Sequence, residues 1–289
     1  MSAPENTIDI LLLGSGGREH ALAAKLAESP RCGTLYIAPG NGGTLELGEN
    51  VALDAEDPSA VADFARETGC GLVVIGPEAP LVKGVADAVR EAGIPCFGPG
   101  AAGAQLEGSK RFSKELMARA GIPTAAYGSF TDEESALAYV REQGAPVVVK
   151  ADGLAAGKGV VVALTLDEAL QAVHECFDGA FGAAGSTVVI EEMLTGPECT
   201  LLAFTDGKAV RPMATSQDHK RALEGDLGPN TGGMGVYSPV PIVTDEEHAE
   251  MCRILDETIA AANREGIDFR GCLYGGFMLT PEGPKVIEY

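Results

Sequence analysis

Along the first hundred positions, short apolar runs alternate with stretches of helical spacing. Residues 8–13 form an apolar run that ends at Gly14. Residues 19–29 place Ala21, Leu22, Lys25 and Leu26 at helical spacing. Strand signals follow at 34–38, 72–75 and 95–97, and helix signals at 58–68 and 81–92. Continuous apolar strands alternating with helices predict a parallel sheet covered on both faces.

From Ser109 the pattern changes. A helix is predicted over 109–120. Three capping boxes, Thr131-x-x-Glu134, Thr165-x-x-Glu168 and Thr244-x-x-Glu247, mark further helix starts. Strand candidates lie at 146–150, 159–163, 187–191, 200–205, 273–280 and 284–289. This order predicts an α+β region with a mainly antiparallel sheet. The fold class is therefore α/β in its first part and α+β in its second. The boundary falls near 100–106, giving domains 1–105 and 106–289.

Composition then removes some functions. The 289 residues carry a formal net charge of −21, which argues against nucleic-acid binding. No run of about 18 apolar residues exists, so no membrane span is predicted. Seven scattered cysteines without a C-x-x-C pair predict reduced thiols in a cytoplasmic protein and no zinc site.

The stretch Val147 to Val162 carries the most chemistry. Two apolar runs flank a loop with three glycines, with Lys150 at the end of the first run and Lys158 inside the loop. A strand follows instead of a helix, so this is not the Walker phosphate loop. A glycine-rich loop between strands with two ammonium groups suits a lid over a nucleotide triphosphate. Gly14-Ser15-Gly16-Gly17-Arg18-Glu19-His20 links a strand to a helix, a geometry that favours an anion. A dinucleotide fingerprint needs glycine where Glu19 stands and an acid near Ala38, so a phosphate-bearing small molecule fits better.

Other candidates have two readings each. Glu78 follows a parallel strand and faces substrate or solvent. Lys110 reaches a cleft or lies on the surface. Glu191 and Glu192 end a strand that reads an adenine edge, or they are solvated acids; Leu194 packs nearby and Glu198 follows. Asp218, His219, Lys220 and Arg221 form a polar cluster suited to phosphate or carboxylate. Residues 228–235, with four glycines, are able to wrap a ligand. Glu288 suits Mg²⁺, which takes few carboxylates plus phosphate oxygens and waters.

Together, Gly16-Gly17-Arg18-Glu19-His20-Ala21, the strings 76–82, 105–110, 150–159 and 214–221, and the loop 228–235 resemble the glycinamide ribonucleotide synthetases (phosphoribosylamine–glycine ligases). These are ATP-grasp enzymes of purine biosynthesis, and the resemblance runs along essentially the whole chain. It implies a Rossmann-like first domain and an ATP-grasp second domain with a lid over about 124–194. It implies that glycine's carboxylate attacks the γ-phosphate of ATP and that the amine of 5-phosphoribosylamine then displaces phosphate. Lys110, Lys150, Gly157, Lys158 and Gly159 would hold the ATP phosphates. Glu191, Glu192, Leu194 and Glu198 would hold adenine and ribose. Gly16, Gly17, Arg18 and Glu78 would bind phosphoribosylamine. Asp218, Lys220, Asn230, Thr231, Gly232 and Gly233 would line the acyl-phosphate site, with Asp218, Lys150 and Asn230 as the catalytic set. Glu288 would bind Mg²⁺ or Mn²⁺.

In that family, the Glu288 motif continues with an asparagine two residues on and a further domain. The sequence stops at Tyr289, which implies an ATP-grasp domain incomplete at its C-terminal end. Two other expectations stand beside the ligase: a different ATP-grasp amide ligase, and a nucleotide-binding fragment without turnover.

Overall fold

Strand β1 (Ile8–Gly14) explains the first unit, because both of its faces are buried. Leu11 and Leu13 pack in one cluster with Val61, Ala65, Val85 and Val89. Ile10 and Leu12 pack in another with Ala23, Leu35 and Ile37. Alternate residues of one strand thus feed two cores, and the sequence reads as an unbroken apolar run. The computed structural model describes residues 7–153, 159–180, 185–225 and 227–289, without the side chains of Pro229 and Asn230.

The unit also contains α1 (Gly17–Ala27), β2 (Cys32–Pro39), a 3-10 turn at Thr44–Glu46, β3 (Glu49–Asn50), α2 (Pro58–Glu67), β4 (Leu72–Ile75), α3 (Glu78–Val82), α4 (Val85–Glu91) and β5 (Cys96–Phe97). The five strands are parallel in the order β3-β2-β1-β4-β5, as the doubly covered pattern predicts. Two differences from expectation have a clear physical cause. The helix predicted over 81–92 is two helices, because Gly84 between them sits at φ 83°. Helix α1 starts two residues early, because the Glu19 carboxylate folds back onto Gly16 N–H at 2.8 Å and closes the first turn.

The chain folds into two compact units, Met1–Ala104 with Ile267–Cys272, and Gln105–Gly266 with Leu273–Tyr289. Helix α5 (Ala101–Gly108) crosses the division. The returning segment belongs to the first unit by close packing. A Cβ on Gly271, at φ 130°, would lie 3.0 Å from the Gly98 backbone, and one on Gly103 would lie 3.1 Å from the Phe269 ring.

The second unit contains α6 (Lys110–Ala120), β6 (Tyr127–Phe130), α7 (Glu133–Gln143), β7 (Val147–Ala151), β8 (Val160–Ala163), α8 (Leu166–Phe177) and β9 (Val188–Glu192). Its first sheet is antiparallel in the order β6-β9-β7-β8, with Val140 and Val173 from the two helices in its core. Thr165 caps α8 as expected. Helix α7 is capped by Asp132, not Thr131: its side chain accepts from Ser135 N–H at 2.8 Å. Next come β10 (Glu198–Thr205), β11 (Val210–Pro212), β12 (Gln217–Asp218), β13 (Arg221–Leu223), β14 (Leu227–Asn230), β15 (Val236–Tyr237), α9 (Asp245–Arg264), β16 (Gly271–Thr280) and β17 (Gly283–Glu288). Strands β11-β10-β16-β17 form the second sheet. Thr244 caps α9, whose Met251, Ile254, Leu255 and Ile259 are buried. Among the described residues, no helix is long and apolar enough to cross a membrane.

Candidate active site

The second unit gathers most of the charged residues that the sequence pattern points to. Ser109 caps α6: its Oγ accepts from Phe112 N–H at 3.1 Å and donates to Asp152 Oδ2 at 3.1 Å. Arg111 N–H also donates to Asp152, so a carboxylate sits at the positive end of this helix. Lys110, the first helical residue, donates to Gly153 O at 2.9 Å. Burial lowers the Lys110 pKa, and the charge of Lys150 lowers it further. Gly159 O accepts from Ala151 N–H at 2.8 Å and joins β7 to the start of β8.

Strand alternation separates Glu191 from Glu192. Glu191 points inward and is 3% exposed. Its carboxylate lies 2.9 Å from Lys150 Nζ and 3.0 Å from Lys114 Nζ. Lys150 also donates to Ile287 O at 3.2 Å. Glu192 is exposed, accepts from Ala126 N–H at 3.0 Å, and lies 4.0 Å from Lys285. Leu194 is half-buried beyond the strand end.

A second charge group centres on Lys220, with Glu198 at 3.3 Å and Glu288 at 3.6 Å. Burial works against the Lys220 charge, but Glu288 and Glu198 outweigh it and hold the pKa above its usual value. Tyr274 lies nearby, its hydroxyl 3.1 Å from Thr200 Oγ1, with its pKa pushed up by burial. Asp218 lies in β12, which pairs with β15, and a Cβ on Gly233 would approach its Oδ2 to 4.0 Å. Thr231 N–H and Oγ1 both donate to Lys220 O, at 2.7 and 2.8 Å, and Thr231 Oγ1 accepts from Gly233 N–H. Gly232 and Gly233 are exposed.

The first unit holds a cleft of about 490 Å³ at the ends of its strands. Gly14, Ser15, Gly16 and Glu19 line one side, and Asp54, Glu56, Pro77 and Pro80 are among the others. Gly17 and Arg18 open α1 beside it. Arg18 donates to Glu19 Oε1 at 2.7 Å and Glu78 Oε1 at 2.8 Å. Burial raises the Glu78 pKa, yet the Arg18 bond overrides it and leaves the carboxyl below its usual value. Glu19 fills the space above two glycines: a Cβ on Gly14 or Gly76 would lie 2.3 Å from it.

The family model described as "Phosphoribosylglycinamide synthetase, N domain" matches residues 8–107, and the one described as "Phosphoribosylglycinamide synthetase, ATP-grasp (A) domain" matches 108–289. The chain belongs to the phosphoribosylglycinamide synthetase family. It is 57% identical over 281 residues to a phosphoribosylamine–glycine ligase of Rhizobium meliloti, covering 97% of this chain and 66% of the relative. A Vibrio parahaemolyticus enzyme of the same name is 58% identical over 285 residues, with 97% and 66% covered. The chain thus spans about two thirds of the length of these relatives. The crystal structure of a Thermotoga maritima phosphoribosylamine–glycine ligase matches with TM-score 0.84 at 31% identity, covering 98% of this chain and 68% of that one. A biotin carboxylase domain from Hydrogenobacter thermophilus, solved with MgADP, shares the fold at 19% identity and TM-score 0.77.

Within this synthetase-family chain, the structure brings together Lys150 with Glu191, and Glu198 with Lys220 and Glu288. It places Arg18 with Glu78 in the first unit. Gly157, Lys158 and the Asn230 side chain lie outside the described residues. Two participants are not legible from the sequence pattern. Asp152 anchors α6, and Lys114 is 2% exposed against Glu191. A signal for Lys114 exists, since its i+4 spacing from Lys110 puts both on one helix face.

Among the described residues, no three His, Cys, Asp or Glu side chains converge to hold a metal. A half-exposed single carboxylate such as Glu288 still fits Mg²⁺ or Mn²⁺, because phosphate oxygens and water complete such shells.

Proposed function

We propose that this chain carries the nucleotide- and substrate-binding parts of an ATP-dependent ligase joining glycine to 5-phosphoribosylamine. The observation that carries this reading is a local excess of positive charge within an acidic chain: buried Lys114 and Lys150 share the single carboxylate of Glu191. Lys110 adds a further ammonium whose pKa is lowered by burial and by Lys150. Such a cluster suits a polyphosphate. Phosphoryl transfer depends mainly on positioning and charge neutralisation.

In this reading, a glycine carboxylate oxygen attacks the γ-phosphorus and ADP leaves. The amine then attacks the acyl carbon of glycyl phosphate, phosphate leaves, and the amine gives up a proton. Lys110 and Lys150 hold phosphate oxygens, and Gly157, Lys158 and Gly159 are assigned to the same phosphates. Glu191, Glu192, Leu194 and Glu198 frame the nucleoside. Asp218, Lys220, Asn230, Thr231, Gly232 and Gly233 frame the acyl phosphate. Glu288 would hold a divalent cation, which supplies charge neutralisation at the phosphates when bound. In the first unit, Gly16, Gly17, Arg18 and Glu78 take the phosphoribosylamine at the N-terminus of α1. In this reading a domain boundary at 105/106 separates these two sets of residues, with the lid over about 124–194. Protein and reaction belong to the cytoplasm in this reading.

The test is calorimetric titration with ATP and Mg²⁺, followed by a phosphate-release assay with glycine and freshly made phosphoribosylamine. Binding with glycine-dependent phosphate release is expected. Binding without release would remove the ligase assignment and leave the nucleotide one. No binding at millimolar ATP would remove both.

A further inference from the structure

The ligase reading counts the charge of Lys114 but gives its side chain no ligand to hold. Its ammonium is more deeply buried than those of Lys110 and Lys220, with a side-chain exposure of 2%. It lies 3.0 Å from Glu191 Oε2, donates to Thr124 Oγ1 at 2.7 Å, and sits 5.8 Å from the centroid of the Tyr127 ring. Thr124 Oγ1 in turn donates to Val286 O at 2.6 Å. Lys150 takes the other carboxylate oxygen at 2.9 Å. That contact is charge against charge, for Glu191 Oε1 makes no hydrogen bond of good geometry among the described residues.

Three buried groups therefore carry two positive charges and one negative. Burial alone penalises such an excess. It drives the Lys114 pKa down to about 8, against the pull of Glu191. A purely structural salt bridge would need only one lysine. A carboxylate facing Lys150 alone would neutralise it. With Lys114 on Oε2, the same carboxylate is divided, and one positive charge stays uncompensated beside Lys150.

We propose that Lys114 is a positioning residue: by occupying Glu191 Oε2 it keeps the charge of Lys150 available to an anionic ligand. This rests on the nucleotide reading above. It makes a charge-count statement. The wild-type trio sums to +1, Lys114→Met to 0, and Lys114→Met with Glu191→Gln to +1 again.

The test compares ATP with adenosine, which lacks the phosphates, by calorimetry at pH 7 on the full chain. At that pH Lys114 is charged. Lys114→Met is expected to weaken ATP on the order of tenfold, as removal of one unit charge a few ångströms away implies. Adenosine is expected to stay within about twofold. The double variant is expected to return the ATP-to-adenosine ratio to within about threefold of wild type. Lys114→Gln, which keeps a donor without the charge, carries the test if the methionine variant does not fold, and it is expected to match it. Equal weakening of ATP and adenosine, unchanged ATP affinity, or no recovery in the double variant overturns the role of Lys114. Absence of ATP binding by the wild type instead overturns the nucleotide reading on which it stands.

Discussion

Removing the Glu19 carboxylate tests whether the turn beside the first-unit cleft is held by one side chain. Glu19 is 3% exposed and accepts from Gly16 N–H at 2.8 Å and from Arg18 Nε at 2.7 Å. Its side chain also fills the space over Gly14 and Gly76. Glu19→Ala removes a hydrogen bond to a charged group, worth roughly 1.5–3 kcal/mol, and leaves Gly16 N–H without its partner. The lost packing adds about 1 kcal/mol. Arg18 keeps Glu78, so its share is small. The expected cost is about 3 kcal/mol for Glu19→Ala. Glu19→Gln keeps the volume and an acceptor for Gly16 N–H, and about 1 kcal/mol is expected. Urea unfolding followed by far-UV circular dichroism gives both values from the midpoint and slope. A cost below about 1 kcal/mol for the alanine variant, or equal costs for both, would refute the assignment of this carboxylate as the clamp of the turn.

Two further outcomes follow from the second unit. Because burial moves Lys114 from 10.5 to about 8, the unfolded chain binds more protons between those values, and stability rises with pH across that window. Relative to Lys114→Met, the wild type is expected to gain up to about 3 kcal/mol from pH 8 to 10.5, measured by paired urea melts; a flat difference would contradict the burial of a charged lysine. Lys220→Met removes the cation between Glu198 and Glu288, so Mg²⁺ is expected to bind the chain about threefold to tenfold more tightly in calorimetry without nucleotide; weaker binding would overturn the proposal that Glu288 holds the metal.

Local features read well from the sequence, and distant ones did not. The doubly buried β1 announces itself because every inward residue on either face is apolar. Thr165 and Thr244 cap their helices through bonds that span only three residues. Thr131 misled because Asp132 beside it is an equally good cap, and one residue of offset decides between them. Gly84 broke a helix that its apolar spacing made look continuous. The paired two-residue strands β12 and β15 are too short for any periodic signal. Glu19 read as a departure from a dinucleotide fingerprint. Only the fold shows that its carboxyl group occupies the space over Gly14 and Gly76, which no spacing rule encodes. Glu191 and Glu192 looked alike as neighbours; strand parity buried one beside two lysines and exposed the other.

The return of residues 267–272 to the first unit has a consequence for synthesis. Those residues leave the ribosome roughly 160 positions after Ala104. At about 5–20 residues per second, the first unit waits about 8–30 s for Phe269 and Gly271 to reach Gly103 and Gly98. During that interval its nascent form lacks part of its packing. The first hundred residues therefore complete their packing only after most of the second unit has been translated, and a chaperone that shields them meanwhile would find a defined, transiently uncovered surface there.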